Sequence, residues 1–168
     1  MTANLLSVLQ DADIFSGMSE ESGDLLLEYF EWVSVHAGQE IIREGDIATF
    51  GLLIISGSFE IMKWLKGQKV ALAVVGRGGF VGDVSLLSAN HRYASCRAIA
   101  SGTIGILSRQ RLQEMHSEAP SLYAELLVNF NRVLSRRLLQ INDDIVNFSD
   151  GCLPSEIAKR IAFNSILT

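Results

Sequence analysis

Between Glu31 and Leu107 the apolar residues come in short runs, and glycine stands at most of the breaks. Ala37-Gly38, Gly45-Asp46, Ser56-Gly57, Lys66-Gly67-Gln68 and Ser101-Gly102 are turn material, because glycine reaches positive φ without a steric penalty. The runs between them are Glu31–Val35, Glu40–Arg43, Gly51–Ser56, Ser58–Leu65, Lys69–Val75, Phe80–Val81, Ser95–Ala100 and Thr103–Leu107. They are too short for helices and read as strands. Strands this short and evenly spaced predict a small antiparallel barrel or double-sheet roll. An immunoglobulin-like sandwich also explains the strands, but not the helix that follows.

Beyond the strands the period changes. Ser108 is placed to cap a short helix through Met115, and Pro120 suits the first turn of a long one. No glycine or proline interrupts Ser121 to Asp150, and about 28 helical residues make a rod of roughly 42 Å. Leu127, Phe130, Leu134, Leu138, Ile141, Ile145 and Phe148 follow one another at intervals of three or four, a seam of coiled-coil type. A second apolar line, Leu122, Leu126, Val133 and Leu139, suits packing on the roll. The seam predicts a homodimer through this helix, the alternative being a helix folded back on its own domain. At the N-terminus Leu5, Leu6, Val8 and Leu9 make a short stripe. Ser19 then caps a helix with Glu20 and Glu21 in its first turn, and Leu25 to Leu27, Tyr29 and Phe30 supply its buried side. A last amphipathic helix restarts at Pro154, with Ile157, Ile161, Ala162 and Ile166 on one side.

The predicted fold is mainly β with flanking α-helices: a double-stranded β-helix, or jelly-roll-like β-roll, plus a long C-terminal helix. The expected divisions are N-terminal helices over 1–30, the roll over 31–108, two helices with the dimer seam over 109–150, and a short terminal helix over 151–168. With 168 residues and 48% hydrophobic residues the chain can bury a core without disulfide or metal. Net charge is −5 and no Lys or Arg precedes Arg43, which argues against a polyphosphate partner and against a signal peptide. No apolar run approaches the ~20 residues that span a bilayer. Cys96 and Cys152 form no metal spacing and read as reduced thiols of a cytoplasmic protein. His36, His91 and His116 are isolated, so a cupin-like metal enzyme lacks its ligand cluster, and no Ser/His/Asp or Cys/His set points to catalysis. The chain is expected to be neither an enzyme nor a metalloprotein.

The stretch that carries chemistry is Gly78-Gly79-Phe80-Val81-Gly82-Asp83-Val84-Ser85-Leu86-Leu87, followed by Arg92-Tyr93-Ala94. A glycine-rich strand end runs into a short helix opening near Asp83, where free N–H groups favour an anion and the glycines let a ligand approach the main chain. Arg92, ten residues after Gly82, can fork onto a phosphate, and the acceptor-only carboxylate of Asp83 can hold a hydroxyl pair. Leu86 and Leu87 anchor the short helix.

These residues resemble the phosphate-binding cassette of the cyclic nucleotide-binding domain family, the type found in bacterial catabolite activators and in the regulatory subunit of protein kinase A. Other landmarks follow in order: Asp13-Ile14-Phe15-Ser16-Gly17-Met18-Ser19, Gly38 to Asp46, Ile55 to Ile61, and Asn131 to Leu138, the last resembling the family's C-helix. The likeness covers about residues 10–148. It implies a non-catalytic sensor that couples ligand binding to movement or dimerisation of the C-helix, with cAMP or another cyclic nucleotide as ligand and no cofactor. It implies that N–H groups near Gly82, Val84 and Ser85 cradle the cyclic phosphate and that Arg92 neutralises it. Tyr93 and Ala94 follow along the ligand, Asp83 takes the place of the family's ribose-binding Glu, and Ile141 and Asn142 stand where the C-helix meets the base.

Asp83 is one methylene shorter than that Glu, and Tyr93 replaces a small residue whose place its ring could crowd. The alternatives are a degenerate cassette serving as a dimerisation scaffold, or the sensor part of a transcription regulator. About eighteen residues follow Asp150, fewer than a helix-turn-helix domain needs, so no DNA binding is expected of this chain alone. The downstream protein partner is not legible.

Overall fold

The computed structural model describes residues 12–88 and 91–149, with side chains inside the last helix to residue 145. The expected helices at the two termini, over residues 5–9 and 154–167, lie outside the described residues. By internal packing the chain falls into two units, Met1–Asn129 and Phe130–Thr168.

The first unit opens with a 3-10 turn, Asp13–Phe15, and helix α1, Glu20–Leu27. Ser19 caps α1 by accepting from the Ser22 N–H at 3.0 Å. Leu26, Tyr29 and Phe30 are buried, while Leu25 stays 39% exposed. A six-stranded antiparallel sheet follows, formed by β1 (Glu31–Val35), β2 (Glu40–Ile42), β3 (Phe50–Leu65), β4 (Gln68–Val75), β5 (Phe80–Val81) and β6 (Ser95–Ser108). The main order is β1-β6-β3-β4, with β2 on β6 and β5 on β3. Helix α2 is Asp83–Ser88, α3 is Arg109–Glu118 and α4 is Pro120–Ser149, the last shared between the two units.

Two of the expected breaks are not breaks. Gly51–Ser56 and Ser58–Leu65 form one strand, and so do Ser95–Ala100 and Thr103–Leu107. At Ser56-Gly57 and Ser101-Gly102 the β3–β6 register shifts instead of ending. Such bulges bend a strand, so β3 and β6 turn the corner of the roll together. Gly57 has φ +92, and a Cβ on Gly102 would lie 2.0 Å from the Ser56 carbonyl oxygen. Ser56 Oγ also accepts from the Thr103 N–H at 3.0 Å, which locks the corner. By contrast, Lys66 (φ 49) and Gly67 (φ 81) are a true two-residue hairpin turn between Leu65 and its partner Gln68.

Inside the roll Val35, Ile42, Leu52, Ile54, Phe59, Cys96, Ala98 and Ile104 form the core. Each large member contributes about 1.5–3 kcal/mol by leaving water. Leu122 and Leu126 are buried on α4, while Trp32 is 38% exposed and stacks on Phe30. In the second unit Phe130 and Val133 are buried, whereas Leu138, Leu139 and Ile141 are 54%, 53% and 54% exposed and Ile145 is 37% exposed. Leu139, expected with the inner line, therefore sits with the open ones. Among the described residues no helix is long and apolar enough to cross a membrane.

The corner makes a sharp prediction. Gly102→Ala places a methyl group against backbone, and backbone cannot give way as a side-chain end does. Urea unfolding should show a loss of at least the ~1–3 kcal/mol usual for overpacking, whereas Gly76→Ala, with nothing within 4 Å of its added carbon and no positive φ, should lose less.

Candidate functional site

The site is built where β5 leaves β3. Leu52 and Leu53 pair with Val81 and Phe80. The Gly78 N–H donates to the Ile54 carbonyl at 2.8 Å, and the Ile54 N–H donates to the Gly79 carbonyl at 2.9 Å. Close packing dictates small residues here: a Cβ on Gly79 would lie 2.2 Å from Val75 Cγ1, and one on Gly51 would lie 2.6 Å from the Phe80 ring. Gly82 then takes φ +89, which side-chain-bearing residues rarely adopt, and turns the chain into α2. Its carbonyl accepts the Leu86 N–H at 2.9 Å. Leu86 is buried and Leu87 half-buried, so α2 is anchored as expected.

Arg92 comes to this turn beside the Gly45–Ile47 stretch. Its N–H donates to the Asp46 carbonyl at 2.8 Å, its own carbonyl accepts from the Gly45 N–H at 2.9 Å, and His91 bridges Ile47. Arg92 turns inward, 5% exposed, while Tyr93 turns outward, 67% exposed. The Tyr93 ring does not crowd the cassette. Lys63 Nζ sits 3.5 Å from its centroid and donates to the Tyr93 carbonyl at 2.7 Å. Lys63 also pairs with Glu44 at 3.2 Å.

The Arg92 guanidinium lies 4.5 Å from the centre of the Phe50 ring, and its Nη2 donates to the Phe50 carbonyl. Its Nη1 is buried and has no hydrogen-bond partner among the described residues. A Cβ on Gly82 would come within 2.7 Å of that nitrogen, so Nη1 stands directly against the glycine turn. Burial lowers the pKa of Arg92, the like charge of Arg109 lowers it further, and Asp46 opposes both. A buried cation with an unmet donor costs several kcal/mol unless an anion answers it. The residues present thus fit a small anion between Arg92 and the Gly82 turn.

Gly82, Asp83, Val84, Ser85 and Arg92 are gathered in this way, and Ala94 lies half-buried on the same segment. Asp83 is 3% exposed and its Oδ1 accepts the Val84 N–H at 2.9 Å, so its carboxylate is engaged at the start of its own helix. Ile141 and Asn142 belong to the other unit, with Ile141 exposed and Asn142 half-buried. Sequence reasoning did not single out Phe50, Lys63 or Arg109. Arg109 carried one signal, a cation in the first turn of a Ser-capped helix, where helix polarity disfavours it. Among the described residues no group of three or more His, Cys, Asp or Glu could hold a metal ion.

A β-roll with a glycine turn, a short helix and a buried arginine facing that turn defines a module that binds a small anionic ligand. Residues 32–119, more than half of the chain, match the family described as cyclic nucleotide-binding domain, and the chain belongs to that family. It is 29% identical over 146 residues to the cyclic AMP receptor protein of Thermus thermophilus, covering 85% of this chain and 66% of that protein. Among solved structures it is similar to the Thermus thermophilus catabolite activator protein, with TM-score 0.73 and 28% identity over 82% of this chain and 63% of that one. It is also similar to a cyclic nucleotide-binding domain from Methylobacillus flagellatus, with TM-score 0.77 and 25% identity over 90% and 86%. The chain thus spans about two thirds of the length of the receptor and activator proteins it matches.

Cys96 lies under the site, 1% exposed, and burial pushes its thiol up to about 12. Only the thiolate alkylates, and at pH 8 that form is on the order of one part in ten thousand. In a Cys152→Ser variant, iodoacetamide should leave Cys96 unmodified until denaturant is added. Rapid labelling of the folded chain would contradict its burial.

Proposed function

We propose that the chain is a non-catalytic sensor module whose ligand is cAMP or another cyclic nucleotide. The observation that carries this reading is the buried Nη1 of Arg92, without a partner among the described residues and set against Gly82. A cyclic phosphodiester placed there meets Arg92 and the N–H groups from Gly82 to Ser85, while Asp83 serves the sugar. Tyr93 and Ala94 line the outer side. Ligand binding shifts α4 only by its differential affinity for the two helix positions. The partner of α4 is a second copy of this chain, because Leu138, Ile141 and Ile145 recur at helical spacing and remain exposed. The net charge of −5 speaks against a nucleic-acid partner for this stretch of chain.

Titration calorimetry with cAMP and cGMP tests the ligand. A saturable heat with one of them, abolished in Arg92→Leu, is the expected result. At 100-fold excess over its dissociation constant the ligand should also stabilise the fold by about 2.7 kcal/mol. No heat from either nucleotide with folded protein overturns the reading.

Sedimentation equilibrium tests the partner. The unaltered chain should be a dimer and the Leu138→Asp/Ile141→Asp variant a monomer. A monomeric unaltered chain disposes of the dimer.

A further inference from the structure

Arg109 stands in a position that its own helix does not favour. It is the first residue of α3, whose first turn holds Arg109 and Arg111 and no acid. Helix N-termini are the positive end of the macrodipole, so a guanidinium there opposes its own helix. A local rule broken without local gain marks a residue serving something else. Two carbonyls outside α3 supply the gain. Arg109 Nη2 donates to Ala48 at 2.8 Å and to Ser85 at 3.3 Å. The Arg109 N–H also donates to the Thr49 carbonyl at 2.8 Å, which ties the start of α3 to the same loop.

Ser85 belongs to α2, the cassette helix. In a helix this short the last four carbonyls lack donor partners within the helix, and Ser85 is among them. A cationic donor there answers one of these open carbonyls. Arg109 thus ties α2 to the Ala48–Thr49 stretch of chain. Its charge also bears on Arg92, as one of the causes that make Arg92 a reluctant cation. A bound anion relieves that repulsion, so the two guanidinium groups act together on the ligand.

We infer that Arg109 is a positioning residue of the anion site, fixing the cassette helix through Ser85 and lending a second positive charge to the bound phosphate. This rests on the sensor reading above as far as the ligand is concerned. It goes beyond that reading in naming a residue outside the cassette.

The test compares the unaltered chain with Arg109→Gln and Arg109→Lys. Each is titrated with cAMP at two salt concentrations. Amide hydrogen exchange over Asp83–Ser88 is followed without ligand, and melting curves report the fold. Arg109→Gln should weaken cAMP binding by roughly tenfold, the size of an ordinary coupling between sites, and speed exchange in α2 more than in β3 or β6. Arg109→Lys keeps the charge but not the fork. It should recover much of the affinity at low salt and lose that recovery at high salt, a pattern that a purely structural role would not produce. Binding by Arg109→Gln equal to the unaltered chain overturns the inference, as does a loss that Lys does not restore at all. Should Arg109→Gln fail to fold, Arg109→Lys decides: α2 exchange at the unaltered rate overturns the inference. If the unaltered chain takes up no cAMP, the sensor reading fails with that ligand and α2 exchange alone judges Arg109. Faster exchange in Arg109→Gln then supports it, and unchanged exchange refutes it.

Discussion

Everything in the first unit hangs on two long strands bending at the same place. β3 and β6 run antiparallel along most of their length, and their register slips at Ser56 to Phe59 opposite Ala98 to Thr103. The slip is possible because Gly57 and Gly102 meet there with no side chain between them. A bent pair serves both faces of a roll, so one strand contributes Leu52 and Ile54 before the corner and Phe59 after it to a single core. β5 adds to β3, and β1 and β2 to β6. The glycine turn at Gly82 and the ladder holding Arg92 are attached to that frame, and their mutual position follows from the corner.

The same frame explains how a charge is kept inside. Arg92 is fixed by main-chain bonds to Gly45 and Asp46 and rests on the Phe50 ring, so its guanidinium has nowhere to relax outward. Core packing thereby supports an arrangement unfavourable in itself, a cation with an unanswered donor facing a glycine. Proteins tolerate such features where a ligand completes them. Tyr93, one residue on, stays with Lys63 at the surface.

Much of this was legible in the residues. Ser19 and Ser108 marked helix starts, Lys66-Gly67 marked a hairpin, and the contiguous cassette announced itself through its glycines and the spacing to Arg92. The corners were misread because a glycine beside a serine signals a turn locally, whether the chain reverses there or bends through a bulge. That choice depends on a partner strand distant in sequence. Phe50 and Arg109 went unnoticed for a similar reason. The Arg92–Phe50 bond joins residues 42 apart and the Arg109–Ser85 bond residues 24 apart, and no periodicity links them. The outward turn of Tyr93 was likewise invisible, since it is set by pairing with the loop at Gly45–Ile47.

The sequence by itself determined the class of fold and the order of its strands and helices, because these are written in local composition and short spacing, and its motif residues carried the likeness to the family. Only the tertiary structure decided which glycines are corners, that Arg92 is buried with a donor unmet among the described residues while Tyr93 is exposed, and that Arg109 reaches the Ser85 carbonyl. Those outcomes depend on which atoms long-range pairing brings into contact and which it shields from water. Burial and hydrogen bonding between distant residues are properties of the assembled roll and of no segment alone.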